Sequence, residues 1–582
     1  MPDTLIVRLK HICLKLASSA WFAYITIILL QSKVIWNIWL YKDLTFGDTS
    51  SYFLNAFIWQ NRGMNSFAWS PIYTAYYGTI LKFFPDAVTA TWLHRVIILF
   101  VLAILVLTLM RRLLPPGISW VIAAWWVILP INFNSLYEVH LFAAIPSLIA
   151  CIIAFQKPSI WTRGITLSIF ALAAVLVRNE LTIATGLWFL ICLITEVRLI
   201  RAGTQKPLMT YVIPYILPIS LSVIAVVFFY TRSYEQGDVL QQSFQTKHTL
   251  NVCQIYAFNY QQRYSDWQLS PWTQCHDLMQ RDFGTAEPSM MEAIKINPPA
   301  MLSYFLWNVR LIPHGLQVAL FNGTSGNLNP DYVDVNLRFA PAFCGTLVFI
   351  IVVIVGLALA WRNRQLWWEE WIEKRYFGWL AMMCTSVTVI VVMLMQRPRP
   401  SYMFNLTLFL MALFGMCAFV ILMRLKKVEW MNVTMPAVAI LLIVIMHSIY
   451  NPPADSSNLL KEAYSNALPF AELIEGKNVL IAKYYYEFCA YVAHGTCKAT
   501  PYSDFKTNNP QNLSFSDWID QNKIDVIYID MVTYNDFQNY LGELDCHQWI
   551  ITVNYKTSTK RWMFLTRIVN PKTNTKVTNC LT

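Results

Sequence analysis

Apolar stretches of about twenty residues recur from residue 17 to residue 450, and nothing else in the chain narrows its fold so far. A helix that crosses the roughly 30 Å hydrocarbon core of a bilayer uses about 20 such residues, because each adds about 1.5 Å of length. Reading the runs in order predicts about eleven spans, near 18–40, 92–110, 116–132, 139–155, 162–177, 181–196, 209–230, 339–361, 376–395, 401–423 and 434–450. Only 13% of the 582 residues are charged and 56% are apolar, a balance that suits lipid rather than water. The expected fold class is a polytopic α-helical membrane protein of about eleven transmembrane helices with a small extracytoplasmic α/β C-terminal domain. The first run, from about Trp21 to Tyr41, is longer than a signal-peptide core and shows no clear small-residue cleavage site, so it reads as an uncleaved first helix.

A formal net charge of +11 could point to nucleic acid, but Lys and Arg stand in short loops between apolar runs. Arg8, Lys10 and Lys15 precede the first run, and Arg111 and Arg112 follow the second. Lys157 and Arg163, then Arg198, Arg201 and Lys206, then Arg362, Arg364, Lys374 and Arg375, then Arg424, Lys426 and Lys427 fall in alternate loops. Cytoplasmic loops are enriched in such residues, so this spacing puts them all on one side. Three larger regions are left outside: 41–91, 231–338 and the tail from Asn451 to Thr582.

Residues 1–450 therefore read as one transmembrane domain that includes the interfacial loop 41–91 and the outer loop 231–338, with 451–582 as a second domain. Loop 41–91 holds two aromatic amphipathic stretches, Ser50–Gln60 and Ile72–Phe84, suited to lying along the interface. "NPPAMLSYFLWNVRLIPHGL" reads as a helix begun by Pro298 and Pro299. In the tail, "NVLIAKYYY" (478–486), "IDVIYID" (524–530), "WIITVNY" (549–555) and "RWMFLTRI" (561–568) read as strands, with helices at 514–521 and 534–544 between them.

Six of the twelve cysteines lie in or beside apolar runs, where a thiol acts as a small hydrophobe. Cys253, Cys275, Cys489, Cys497, Cys546 and Cys580 lie in the regions read as outside, where disulfides persist. The simplest pairing joins Cys253 to Cys275, Cys489 to Cys497 and Cys546 to Cys580, although six cysteines admit about 15 connectivities. None has zinc-type CxxC spacing, so no structural metal is expected.

Asp43, Asp48, Glu138, His140, Arg178, Glu180, Arg397 and Arg399 all fall at outer ends of these spans. Charges are costly at mid-membrane, so they belong at the interface or around a water-filled cavity. Each also has a plain reading. Asp48 before Thr49 and Ser50 is a good helix N-cap. Glu138 and His140 suit interfacial packing, and Arg178 can pair with Glu180 across a tight turn. Arg397 and Arg399 in "QRPRPSY" are harder to dismiss, because a short outer loop should be poor in Arg. Asp43 is best read as a neighbour of Lys42 at the membrane surface.

As an ordered set, "FGDTSSYF" (46–53), "SPIYTAYYG" (70–78), "YEVH" (137–140), "VRNEL" (177–181) and "QRPRPSY" (396–402) resemble the GT-C superfamily of integral membrane glycosyltransferases. The closest look is to bacterial members similar to the aminoarabinose and lipopolysaccharide-core transferases, and it covers most of residues 15–450. The resemblance implies a polyprenyl-phosphate-linked sugar as donor and an acceptor outside the cytoplasm. It matches Asp48 to the first-loop acid assigned as base or acceptor-orienting carboxylate, and Glu138 to the second-loop acid. Asn179 stands where a proline is frequent, and the adjacent acidic pair of protein mannosyltransferases is absent, which leaves the acceptor open.

The chemistry itself asks for the same groups. A phosphate monoester leaves without needing a proton, so transfer requires one base for the acceptor hydroxyl and cations to hold the departing phosphate. Asp48 is cast as base, Arg399 and Arg178 as phosphate contacts with Arg397 and His140 beside them, Glu138 and Glu180 as sugar or acceptor ligands, and Trp69 and Tyr73 as ring-stacking or lipid-flanking aromatics. Direct displacement predicts inversion at the anomeric carbon. No cofactor is expected with certainty, a divalent cation between Asp48 and Glu138 being the one considered. The competing readings are a transporter or lipid-linked sugar flippase, and a membrane-anchored binding protein whose active part is the tail. The expected location is a bacterial cytoplasmic membrane, with membrane lipids and no nucleic acid as partners.

Overall fold

The computed structural model describes residues 2–41, 48–133 except 65, 138–202, 208–328 except 327, 339–362, 364 and 375–450. Beyond these it describes 467–481, 488–502 except 494, 505, 513–529, 540, 544, 549–556 and 561–567. The predicted residues Asp43, Cys546 and Cys580 lie outside the described residues, as does most of the helix expected at 534–544.

The chain divides into two compact units. One comprises Met1–Tyr41, Gly63–Ala75 and Leu93–Ala454, and the other Lys42–Arg62, Tyr76–Trp92 and Asp455–Thr582. Two pieces of the loop read with the membrane part thus gather with the tail.

In the first unit, each predicted apolar run is helical. Eight helices among the described residues are long and apolar enough to cross a membrane: Ala20–Leu40, Ala87–Leu113, Leu181–Arg201, Val212–Thr231, Phe339–Arg362, Tyr376–Met395, Phe404–Arg424 and Val428–Ile445. Three apolar helices are shorter, Pro116–Ile128, Glu138–Ala154 and Ile160–Leu176. Prolines explain the first of these: Pro115 and Pro116 open the helix and Pro130 ends it in a short 3-10 turn. Pro146, Pro214, Pro218 and Pro436 instead sit inside continuous helices, without the mid-span breaks expected of a carrier.

A helix the sequence reading did not separate, Pro2–Ser18, precedes the first span, and Ser19 caps the span by accepting from the Phe22 N–H. The region 231–328 is helical as well. Gly237–Arg263, Cys275–Phe283, Met290–Ile296 and Pro298–Phe321 surround Tyr256, Met279, Phe283 and Tyr304. The Cys253–Cys275 disulfide staples the first two. Asn297 caps the helix that Pro298 begins.

In the second unit, a five-stranded sheet is built from β1 (Asn478–Ile481), β2 (Lys498–Pro501), β3 (Val526–Ile529), β4 (Trp549–Lys556) and β5 (Arg561–Arg567). The strand order is β2-β1-β3-β5-β4, with β1 parallel to β2 and β3, and β5 antiparallel to β3 and β4. In the centre of the sheet, Val479–Ile481 of β1 and all of β3 are apolar and buried, as strands covered on both faces are. The strand β2 escaped the sequence reading because "KATP" is short, polar at one end and closed by a proline. The Cys489–Cys497 disulfide closes the loop ahead of β2, and Phe53 of the helix Asp48–Arg62 packs its ring 6.0 Å from that of Tyr491.

Candidate functional site

Three turns at one end of the first unit's helices supply the site. The chain leaves Ile160–Leu176 at Val177, and both the Val177 and Arg178 N–H groups donate to the Ala173 carbonyl, 3.0 and 2.9 Å away. The Leu181 N–H donates back to the Arg178 carbonyl at 3.1 Å, so Arg178 and Glu180 face each other across a single turn. Their side chains form an ion pair, with Arg178 Nε 3.1 Å from Glu180 Oε2. Burial alone would raise the Glu180 carboxyl. The Arg178 charge and hydrogen bond outweigh it and hold the group below the usual carboxylate range, with Lys247 adding to the effect.

Arg399 comes from the turn between Tyr376–Met395 and Phe404–Arg424. That turn is pinned by Tyr304, which donates to the Met395 carbonyl at 2.7 Å, and by Asn308, which donates to the Leu394 carbonyl at 2.9 Å. Arg397 is held at φ 116°, a conformation that costs a side-chain-bearing residue of order 1–3 kcal/mol. Its carbonyl accepts from the Arg399 N–H at 2.8 Å, which aims Arg399 back toward the helix ends. The Arg178 and Arg399 guanidiniums each lie 5.6 Å from the centre of the Tyr402 ring. The His140 ring, in the first turn of Glu138–Ala154, packs 4.6 Å from the same ring, and both cations act on it electrostatically.

His140, Arg178, Glu180 and Tyr402 border a cavity of about 60 Å³, with Asn405 also in its lining. Beside it, Ser70 donates to the Val177 carbonyl at 2.7 Å and ties the loop 63–75 to the Arg178 turn. Lys247, from the helix Gly237–Arg263, donates to the Ala68 carbonyl at 3.1 Å and sits 3.7 Å from the centre of the Trp69 ring. A carboxylate, an imidazole, two guanidiniums and an ammonium thus converge at the ends of the spans. Forked guanidiniums grip two oxygens of a phosphate at once, whereas the ammonium acts as a point charge.

Other predicted residues are placed differently. Glu138 is no open ligand: it is 1% exposed and its Oε1 lies 3.1 Å from Nη1 of Arg95, itself fully buried. A carboxylate matched by a buried guanidinium has less charge to offer a divalent cation. Tyr73 is 1% exposed, with its hydroxyl 3.1 Å from His94 Nε2 and its ring against Phe142, a packing position rather than a platform for a sugar. Arg397 is 2% exposed and directs its guanidinium over Phe258, 5.5 Å from the ring centre, so it anchors the turn from behind. Cys253, Cys275 and His276 approach one another closely enough to suggest a metal, but the two sulfurs are bonded to each other. Asp48 begins the helix Asp48–Arg62 in the second unit, and its side chain lies outside the described residues.

Sequence reasoning missed Lys247, Tyr402 and Arg95. Arg95 carried a signal, since an ionisable residue at the edge of an apolar run marks a partner or a function. Lys247 carried none, because only the fold of the helices between 237 and 321 brings it to the Arg178 turn.

No family model matches the chain, and no curated protein matches it. Among solved structures it is similar to the oligosaccharyltransferase of Archaeoglobus fulgidus in the apo form, at 12% identity and a TM-score of 0.39 over 87% of this chain and 69% of that one. It is similar also to the archaeal oligosaccharyltransferase AglB from Archaeoglobus fulgidus in complex with an inhibitory peptide and a dolichol-phosphate, at 12% identity and a TM-score of 0.40, over 93% of this chain and 73% of the other. Likeness of this degree decides nothing about chemistry, which has to come from the chain's own residues.

Proposed function

We propose that the chain is an inverting glycosyltransferase that moves a sugar from a polyprenyl-phosphate carrier to a lipid, glycan or protein acceptor on the extracytoplasmic face. The observation that carries this reading is the placement of Arg178 and Arg399 around Tyr402, with Glu180 and His140 bordering the same small cavity. The ordered motifs that resemble the GT-C glycosyltransferases support it independently.

In this reading the acceptor oxygen attacks the anomeric carbon as the bond from that carbon to the phosphate oxygen breaks. The phosphate leaves with the bonding electrons and gains negative charge, which Arg178 and Arg399 meet with hydrogen bonds. The acceptor proton passes to a carboxylate, for which Asp48 is the candidate on its sequence context. Glu180, kept ionised by Arg178, is suited to accept from sugar hydroxyls, and Trp69 offers an apolar ring to sugar or lipid. Asp48→Asn tests the base: transfer from labelled polyprenyl-phosphate sugar by the purified protein should fall roughly 10²–10⁴-fold. Transfer that survives in Asp48→Asn as well as in Asp43→Asn would remove Asp48 from that role, and no transfer by the unaltered protein from several donors would remove the reading itself.

A further inference from the structure

At the opposite, basic end of the first unit, the helix Pro2–Ser18 meets the start of Pro116–Ile128 and of Val428–Ile445. Between them lies a cavity of about 500 Å³, open on one side, with His11, Lys15, Ser18, Pro116 and Asn432 in its lining. We propose that this cavity binds the phosphodiester headgroup of an anionic phospholipid of the surrounding leaflet.

Three observations carry it. The cations are unevenly used: Lys10 is 2.8 Å from Glu429 and so already paired, whereas Lys15, five residues on and in the cavity wall, pairs with no carboxylate among the described residues. Arg111 stands behind the wall rather than in it, its Nη2 donating to the carbonyl of the lining residue Ser18 at 3.4 Å, while its Nη1 is buried with no hydrogen-bond partner among the described residues. A buried guanidinium N–H without an acceptor is costly, and a phosphate oxygen is the acceptor that would relieve it. Asn432 uses its Oδ1 to accept from the Gly117 N–H at 3.0 Å, so its amide hydrogens are the donors it has to spare.

The helix that carries Lys15 also fits a lipid rather than a free ion. Val7 and Ile12 are 65% and 52% exposed on a helix that also carries Arg8, Lys10, His11 and Lys15. Such a helix lies along a membrane surface with its apolar side chains among acyl tails and its cations at the phosphates. The proposal is independent of the reaction at the other end of the spans.

The test is native mass spectrometry of the purified full chain with phosphatidylglycerol, with phosphatidylcholine and with inorganic phosphate. The unaltered protein should retain phosphatidylglycerol over phosphatidylcholine, and Lys15→Gln should lower that retention about fivefold. Arg111→Gln should lower it at least as far, while Lys10→Gln, whose cation is already paired, should change it little. Lys15 is exposed, so its replacement leaves the packing intact even if Arg111→Gln does not fold. Equal retention of the two lipids, or an equal loss in Lys10→Gln and Lys15→Gln, would overturn the proposal. Displacement of phosphatidylglycerol by an equal concentration of inorganic phosphate would make this an ion site and overturn the lipid assignment.

Discussion

Arg95 and Glu138 form an ion pair of 3.1 Å in which neither side chain reaches solvent. The pair joins the helix Ala87–Leu113 to the first turn of Glu138–Ala154, and Arg95 Nη2 also donates to the Phe133 carbonyl at 2.6 Å. It therefore fixes the helix start that presents His140 two residues further on. Withdrawing two charges from water is expensive, and leaving one of them alone is worse. Arg95→Leu or Glu138→Ala should each destabilise the protein by about 3–5 kcal/mol, whereas Arg95→Met with Glu138→Leu should recover most of the loss. Thermal unfolding in detergent reads the difference, and single variants as stable as the parent would mean that the pair is solvated after all.

Arg178 and Arg399 should differ from ordinary surface cations in how they tolerate lysine. Replacement of either by Gln should lower kcat/KM for a polyprenyl-phosphate sugar roughly 10²–10³-fold, the usual consequence of losing a donor to developing charge. Arg399→Lys should restore only part, because an ammonium supplies the charge without the two-pronged geometry. Full activity in Arg399→Lys would argue for a point charge and against a forked phosphate contact.

Glu180 sets a pH dependence of definite sign. Its carboxyl titrates lower in the folded protein than in the unfolded chain, so its contribution is present above the usual carboxylate range and is lost as pH falls through the lowered folded value. Infrared titration of the carboxylate should find Glu180 still ionised in the usual carboxylate range. In Arg178→Gln burial is left without its main opponent, and the titration should move to higher pH. A titration unmoved by Arg178→Gln would mean that the ion pair does not govern Glu180.

The helices Gly237–Arg263 and Cys275–Phe283 depend on their disulfide. Cys253 and Cys275 are 22 residues apart and join two helices that share a core. Removing a cross-link over a loop of this size releases about 3 kcal/mol of loop entropy into the opened state. Hydrogen exchange in Gly237–Arg263 should quicken markedly in Cys253→Ser/Cys275→Ser or under reductant. Because this helix delivers Lys247, loss of its order should also loosen the contact with Trp69.

Much of this was legible in the chain. Helix length in lipid follows from apolar run length, so the runs were found as helices, and Pro298 marked a helix start correctly. Four of the five strands announced themselves by β-branched and aromatic content, and only the short β2 did not. The Arg178–Glu180 pair was readable because two residues across a single turn are neighbours whatever surrounds them.

The sequence by itself determined which segments are apolar enough for a membrane, where the basic loops fall and which local turns carry charge, since each depends on neighbours within a few residues. Tertiary structure alone decided that Glu138 is taken by Arg95, that Tyr73 is spent in packing against His94 and Phe142, and that Lys247 reaches the Arg178 turn from 69 positions further along the chain. Those outcomes depend on which helix ends meet. A charged side chain is matched by whatever opposite charge the packing brings within reach, and the order of residues along one helix does not record that.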